Sequence, residues 1–230
     1  MQAELIVDAR NAVGESPVWV PEENALYWVN IPNGGLQCWN ATSGKIQGWE
    51  APEMLACIAR HQDGGWVAGM ESGFFRLHPH DDGSLDSELC ASVEHSRADM
   101  RLNDGRCDRQ GRFWAGSMVL NMGANADEGR MYRHEAGQRS PVEAQLSGFI
   151  VPNGLGFSPD GRLDRSLEVP VKKPTMCAFG GSQLDTLFVT SIRPGDDNDP
   201  QSLAGGVFAL NPGVKGLAEP AFGGRKHSAN

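Results

Sequence analysis

The sequence predicts an all-β fold of the β-propeller type, built from four-stranded antiparallel sheets, and three observations predict it. Glycine is the compositional outlier at 29 of 230 residues, with 14 prolines and six tryptophans beside it, a turn-rich and strand-rich balance. Windows with the 3.6-residue apolar period of a helix are almost absent. A unit of apolar strand, tight turn and second apolar or aromatic strand recurs along the chain.

Five segments carry that unit: SPVWVPEENALYWVNI (16–31), LACIARHQDGGWVAGM (55–70), GRCDRQGRFWAGSM (105–118), NGLGFSPDGRL (153–163) and TMCAFGGSQLDTLFVTSI (175–192). Each turn holds Gly, Asn or Asp, the residues that tolerate the positive φ of a tight hairpin. Between the second and third, GFFRLHPHDDGSLDSELC (73–90) reads as two more strands around a turn at Asp81 to Gly83, which makes about four strands per unit. Units of this size with no helical crossover are the signature of propeller blades. A parallel α/β sheet needs helical connections, and a sandwich does not call for a repeating aromatic second strand. One domain over residues 1–230 is the expectation.

The turn residues Asn24, Gly64, Gly111, Gly161 and Asp185 fall at intervals of 40, 47, 50 and then 24 residues. The last interval is too short for a full blade. It implies a junction near residues 161–164 and an incomplete propeller of about four blades plus a hybrid or partial one.

A formal charge of −9 and no clustered cationic footprint argue against nucleic acid or an anionic membrane as partner. No apolar run approaches the roughly 20 residues of a membrane span, and residues 1–10 lack the order of a signal peptide, so the expected location is cytoplasmic. Cys38, Cys57, Cys90, Cys107 and Cys177 show neither paired metal-ligand spacing nor a C-x-x-C, and read as reduced, mostly buried thiols. The NAT at Asn40 is a short pattern that arises by chance.

Five phrases together make a resemblance: GESPVW (14–19), RLNDGRCDRQGRFWAGSM (101–118), PNGLGFSPDGR (152–162), CAFGG (177–181) and LAGGVFAL (203–210). In order and over nearly the whole chain, they resemble the gluconolactonase, regucalcin (senescence marker protein) and luciferin-regenerating-enzyme-like family. The resemblance implies a six-bladed propeller, one divalent metal ion (Ca, Mn, Mg or Zn) and hydrolysis of a small-molecule sugar lactone. It implies metal ligation by Glu15 and Asn153, and substrate binding by Arg101 and Asn103; Asp104, in the same polar cluster, is a further substrate-binding candidate. Asn121 stands near where some relatives place a substrate-contacting Glu. The family's third metal ligand, an Asp one blade after the NGLGFSPDG phrase and its catalytic base, has no counterpart here. The chain passes from its first F-x-PDG phrase straight into the stretch that lies beyond the family's second such phrase, as an internal loss would produce.

A lactone is a cyclic ester, so its hydrolysis needs a polarised carbonyl and an activated water, and a bound divalent ion supplies both. Carboxylate and amide oxygens are hard ligands for such an ion. Each residue also has a plainer reading: Glu15 as a turn glutamate, Asn153 and Asp104 as residues that hydrogen-bond their own turns before Gly. Among the nearby carboxylates Asp160, Asp164 and Asp185, none fits the missing ligand by motif. The six histidines pair with no nucleophile motif, GFSPDG is not a G-x-S-x-G elbow, and the HPH at 78–80 reads as a surface turn. A non-catalytic metal- or sugar-binding remnant, either monomeric or associating through exposed strand edges, is the alternative to the enzyme.

Overall fold

The computed structural model describes residues 3–121, 124, 126–139, 141–153, 155, 167, 169–171, 173–193 and 202–223. Among them sixteen strands form four four-stranded sheets, each an antiparallel blade. The all-β expectation and its count of four blades hold. The junction at 161–164, and any hybrid blade there, lie outside the described residues.

The chain divides into two compact units, the first made of Met1–Gly48 and Ser158–Glu219, the second of Trp49–Phe157 and Pro220–Asn230. In the first, one blade runs β2 (Gly14–Val20), β3 (Ala25–Asn30), β4 (Gly35–Asn40) and, at the unit's border, β5 (Ile46–Glu50). The other joins β14 (Pro174–Gly180), β15 (Thr186–Ser191) and β16 (Val207–Leu210) to the N-terminal β1 (Glu4–Val7). Strand β1 lies antiparallel to β16, with Glu4 opposite Ala209, so one sheet ties early residues to late ones. All seven residues of β2 are buried, and β2 lies against β14. Val7, Trp19, Leu26, Trp28, Phe188 and Val207 form the core, with Trp19 stacked on Phe188 at 5.3 Å between ring centroids. The aromatic second strands seen in the sequence thus supply the apolar area that holds this unit together.

The second unit holds β6 (Leu55–Arg60), β7 (Trp66–Met70), β8 (Gly73–Pro79) and β9 (Leu85–Ser92), and then β10 (Met100–Cys107), β11 (Phe113–Val119), β12 (Gly129–His134) and β13 (Ala144–Phe149). The first strands of these blades, β6 and β10, pack together, and their close approach depends on missing side chains. A Cβ on Gly105 would lie 2.7 Å from the Cys57 sulfur. Burial falls from the first strand of a blade to the last: β6 and β10 are buried almost throughout, β9 and β13 largely exposed. In these two blades the last strand's unpaired edge is therefore open to solvent, which satisfies it.

The hairpin turns follow the sequence reading, with positive φ at Asn24, Gly64 and Gly111. In the β14–β15 turn the positive φ falls at Gly181 and Leu184 instead of Asp185, because Leu184 N–H donates to Gly181 O and closes the turn one residue earlier. Three of the five thiols are buried, but Cys90 is half-buried and Cys177 exposed. The thiols are thus mostly buried, as expected, and Cys177 is exposed because it sits on an outward-alternating position of β14.

Candidate functional site

In the second unit the structure brings Arg101, Asn103 and Asp104 together with the segment that bears Asn153. All three β10 residues are buried, at 9%, 4% and 3% exposure. The β10–β11 register breaks between Leu102 and Gly105, a bulge that places Asn103 and Asp104 side by side where strict alternation would send them to opposite faces. Arg101 Nη1 donates to Asn103 Oδ1 at 2.7 Å and to Leu102 O at 2.8 Å. Asn103 Nδ2 in turn donates to Pro152 O at 2.9 Å, and Leu155 N–H donates to Asp104 Oδ2 at 2.6 Å. Two hydrogen bonds thus grip the chain on either side of Asn153, whose own side chain is exposed. Asn121 comes just after β11, is exposed, and accepts from Ala124 N–H through its carbonyl.

Glu15 lies in the first unit, on β2, and is 3% exposed. The strand bulges between Glu15 and Val18, and Ser16 takes a left-handed φ of 49°, a conformation that non-glycine residues hold only where the surroundings impose it. Ser16 N–H donates to Glu15 Oε2 at 3.3 Å. The neighbouring Gly14 carbonyl accepts from the Thr175 hydroxyl of β14; Thr175 is itself 2.8 Å from the Thr190 hydroxyl, which donates to Met176 O. This hydroxyl pair fixes the start of β2. A carboxylate held in a bulge at a strand's mouth is a position from which a hard cation takes an oxygen ligand.

Among the described residues, no three His, Cys, Asp or Glu side chains gather as a metal-binding group. His80 Nε2 sits 2.8 Å from Asp86 Oδ2 on the exposed β8–β9 hairpin; the HPH phrase is on the surface, but His78 and Pro79 end strand β8, paired with Asp86 and Leu85, and only His80 enters the turn, which corrects the surface-turn reading. His134 is buried and stacked between Phe74 and Phe222, with both centroid distances 5.1 Å, and burial pushes its pKa down to about 4. Asn40 accepts from Thr42 N–H and Ser43 N–H, an Asx turn that accounts for the NAT phrase structurally. Asp160 and Asp164 lie outside the described residues; Asp185 stands at the end of the β14–β15 turn.

The family model described as SMP-30/Gluconolactonase/LRE-like region matches residues 13–163 and, separately, residues 157–193. The chain belongs to that family. Curated relatives include a 6-deoxy-6-sulfogluconolactonase of Pseudomonas putida, 29% identical over 95% of this chain and 98% of the relative. A regucalcin of Sus scrofa is 27% identical over 92% of this chain and 95% of its own length. Among solved structures, a luciferin-regenerating enzyme superposes with a TM-score of 0.82 at 21% identity, over 96% of this chain and 98% of that one. A calcium-binding regucalcin from Agrobacterium tumefaciens does so with a TM-score of 0.80 at 23% identity, over 95% and 96%. Both likenesses establish the propeller fold. The alignment to the Pseudomonas putida protein runs over 294 positions against 230 residues here, so at least 64 of its positions have no residue in this chain.

No helix among the described residues is long and apolar enough to cross a membrane.

Proposed function

We propose that this protein hydrolyses sugar lactones of the gluconolactone type with one divalent metal ion, as a single propeller domain acting in the cytoplasm. The observation that carries the reading is the family match over residues 13–163 and 157–193. It is supported by the buried placement of Glu15 and by the hydrogen bonds on either side of Asn153.

The donor chemistry fits the ion. Glu15 and Asn153 are the residues that would hold it, and their hard oxygens suit Ca²⁺, Mg²⁺ or Mn²⁺, with Zn²⁺ able to substitute. When bound, such an ion polarises an ester carbonyl and lowers the pKa of water. Arg101 is a fixed fork of donors, buried beside Asn103, suited to lactone and hydroxyl oxygens. Asn103 and Asp104 complete the polar wall, and Asn121, exposed, offers an amide to the sugar where an acidic side chain would repel an anionic substituent. Water adds to the lactone carbonyl, the ring C–O bond breaks, and the product is the open-chain hydroxy acid.

Two observations favour a second reading, a non-catalytic metal- or sugar-binding remnant. At least 64 positions of a relative are unmatched, and residues 157–163 belong to both family matches. Both facts support an internal loss at FSPDGRL that removed the third ligand Asp, which would otherwise serve as general base. Gluconolactone hydrolysis, measured with added Ca²⁺, Mn²⁺ or Zn²⁺, separates the readings. Turnover above the spontaneous rate that Glu15→Ala abolishes supports the enzyme; divalent-ion binding with no turnover supports the remnant.

A further inference from the structure

We infer that Asn103 and Asp104 are positioning residues, a two-point clamp that sets the backbone at Pro152 and Leu155 and through them the presentation of Asn153. This deepens the proposed function and rests on it for the role of Asn153. The two grips have nearly the same sequence separation, 49 residues from Asn103 to Pro152 and 51 from Asp104 to Leu155. They come from adjacent residues of one bulge and close on residues 152 and 155 of one segment. Such a pair defines both the height and the rotation of the segment, which one hydrogen bond cannot do.

The clamp has a backing. Asn103 is itself held, since its Oδ1 accepts from the buried Arg101 guanidinium while its Nδ2 reaches Pro152 O. Its amide orientation is therefore fixed by a charged donor on one end and a carbonyl on the other. Pro152 is buried and seats on Gly116 of β11, where a Cβ would lie 2.6 Å from Pro152 Cβ. The missing side chain at Gly116 is thus the space Pro152 occupies. Asp104 adds a charge-assisted bond to a backbone N–H, the stronger kind, at 3% exposure where competing water is excluded. Asn153, between the two grips, is the exposed residue of a segment held at both sides. Both side chains already engage this segment, so their positioning role does not depend on a substrate contact.

The test compares wild type with Asp104→Ala, Asp104→Asn and Asn103→Ala in the full chain. Two quantities are read: the Leu155 amide exchange rate by NMR, and the Mn²⁺ dissociation constant by calorimetry. Asp104→Ala should raise the Leu155 exchange rate and the Mn²⁺ dissociation constant each by about tenfold or more, the effect of losing a charge-assisted hydrogen bond. Asp104→Asn keeps an oxygen acceptor for Leu155 N–H and should restore most of both. Asn103→Ala should also weaken Mn²⁺ binding. Far-UV circular dichroism identifies any variant that fails to fold, and Asp104→Asn then carries the comparison. An unchanged Leu155 exchange rate in folded Asp104→Ala overturns the clamp. If wild type binds no Mn²⁺, the ion reading of Asn153 falls, and the Leu155 exchange rate alone decides for or against the clamp.

Discussion

Replacing Asp108 with Ala should destabilise the second unit by about 3–5 kcal/mol, the cost of breaking a buried charge-paired group. Asp108 closes the β10–β11 hairpin at 3% exposure. Its Oδ1 accepts from Gln110 N–H and Arg112 N–H, each at 3.0 Å, and its Oδ2 from Arg112 Nε at 2.6 Å and Trp114 Nε1 at 2.8 Å. Trp114 is also flanked by the Arg112 and Arg133 guanidinium groups, 5.8 and 5.5 Å from its ring, so losing Asp108 loosens one anchor of that stack. Alanine leaves the indole N–H and two backbone N–H groups without their acceptor, each costing about 1–3 kcal/mol where water does not reach. Asparagine keeps one oxygen acceptor for the turn and loses the charge, so Asp108→Asn should cost about half as much. For a chain of this length each kcal/mol lowers the melting midpoint by about 2–4 °C, and Asp108→Ala should melt roughly 10 °C below wild type. Burial pushes the Asp108 pKa up, but the Arg112 and Trp114 hydrogen bonds and the Arg112 charge together hold it below the ordinary value. A depressed carboxylate stabilises the fold above its unfolded pKa of about 3.9 and loses that contribution as pH falls through the lower folded value. The gap between wild type and Asp108→Asn should therefore be constant from about pH 6 to 8 and shrink below about pH 4. Urea and thermal unfolding followed by circular dichroism read both effects. A loss under about 1 kcal/mol for Asp108→Ala would refute the reasoning, because it would mean the hairpin re-satisfies its donors without the carboxylate.

The same packing sets further outcomes. His134, with its pKa down to about 4 by burial, must stay neutral in the fold, so it withdraws stability as pH falls from about 6.5 to about 4; His134→Phe should flatten that part of the stability-against-pH curve. Phe222 stacks on His134 while its N–H donates to Arg60 O and its carbonyl accepts from Gln62 N–H, so Phe222→Ala should cost about 3–5 kcal/mol and speed hydrogen exchange at residues 60–65. Phe188→Ala, which empties the partner of Trp19 in the other unit, should cost a similar amount by urea unfolding. Gly116→Ala forces a methyl against Pro152 and should destabilise by about 1–3 kcal/mol, checked by melting midpoint.

The hairpins were legible because their information is local. Alternation, aromatic second strands and a glycine or asparagine in the turn all lie within a dozen residues, and the blades are built from them. Arg101, Asn103 and Asp104 stood out as a polar cluster for the same reason. The segment they grip was not legible, since a bulge between Leu102 and Gly105 breaks the alternation on which facing is judged, and that segment is 49 residues away. The Thr175 hydroxyl that steadies Gly14 is 161 residues distant, and nothing in a TM dipeptide signals such a partner. Phe222 belongs to a short segment without period, and its docking depends on the rings of His61 and His134, which only the folded blades bring together. The compressed interval after Gly161 was legible as spacing alone, and its residues lie outside those described.

The central claim, hydrolysis of a sugar lactone with a divalent ion and Glu15, is tested most directly by one measurement: the rate of gluconolactone opening by the chelated protein before and after Mn²⁺ is restored. Wild type should open the lactone above the spontaneous rate only after restoration, and Glu15→Ala should remain at the spontaneous rate in both conditions. A wild-type rate at the spontaneous background with Mn²⁺ present, or an Ala variant as fast as wild type, would contradict the account.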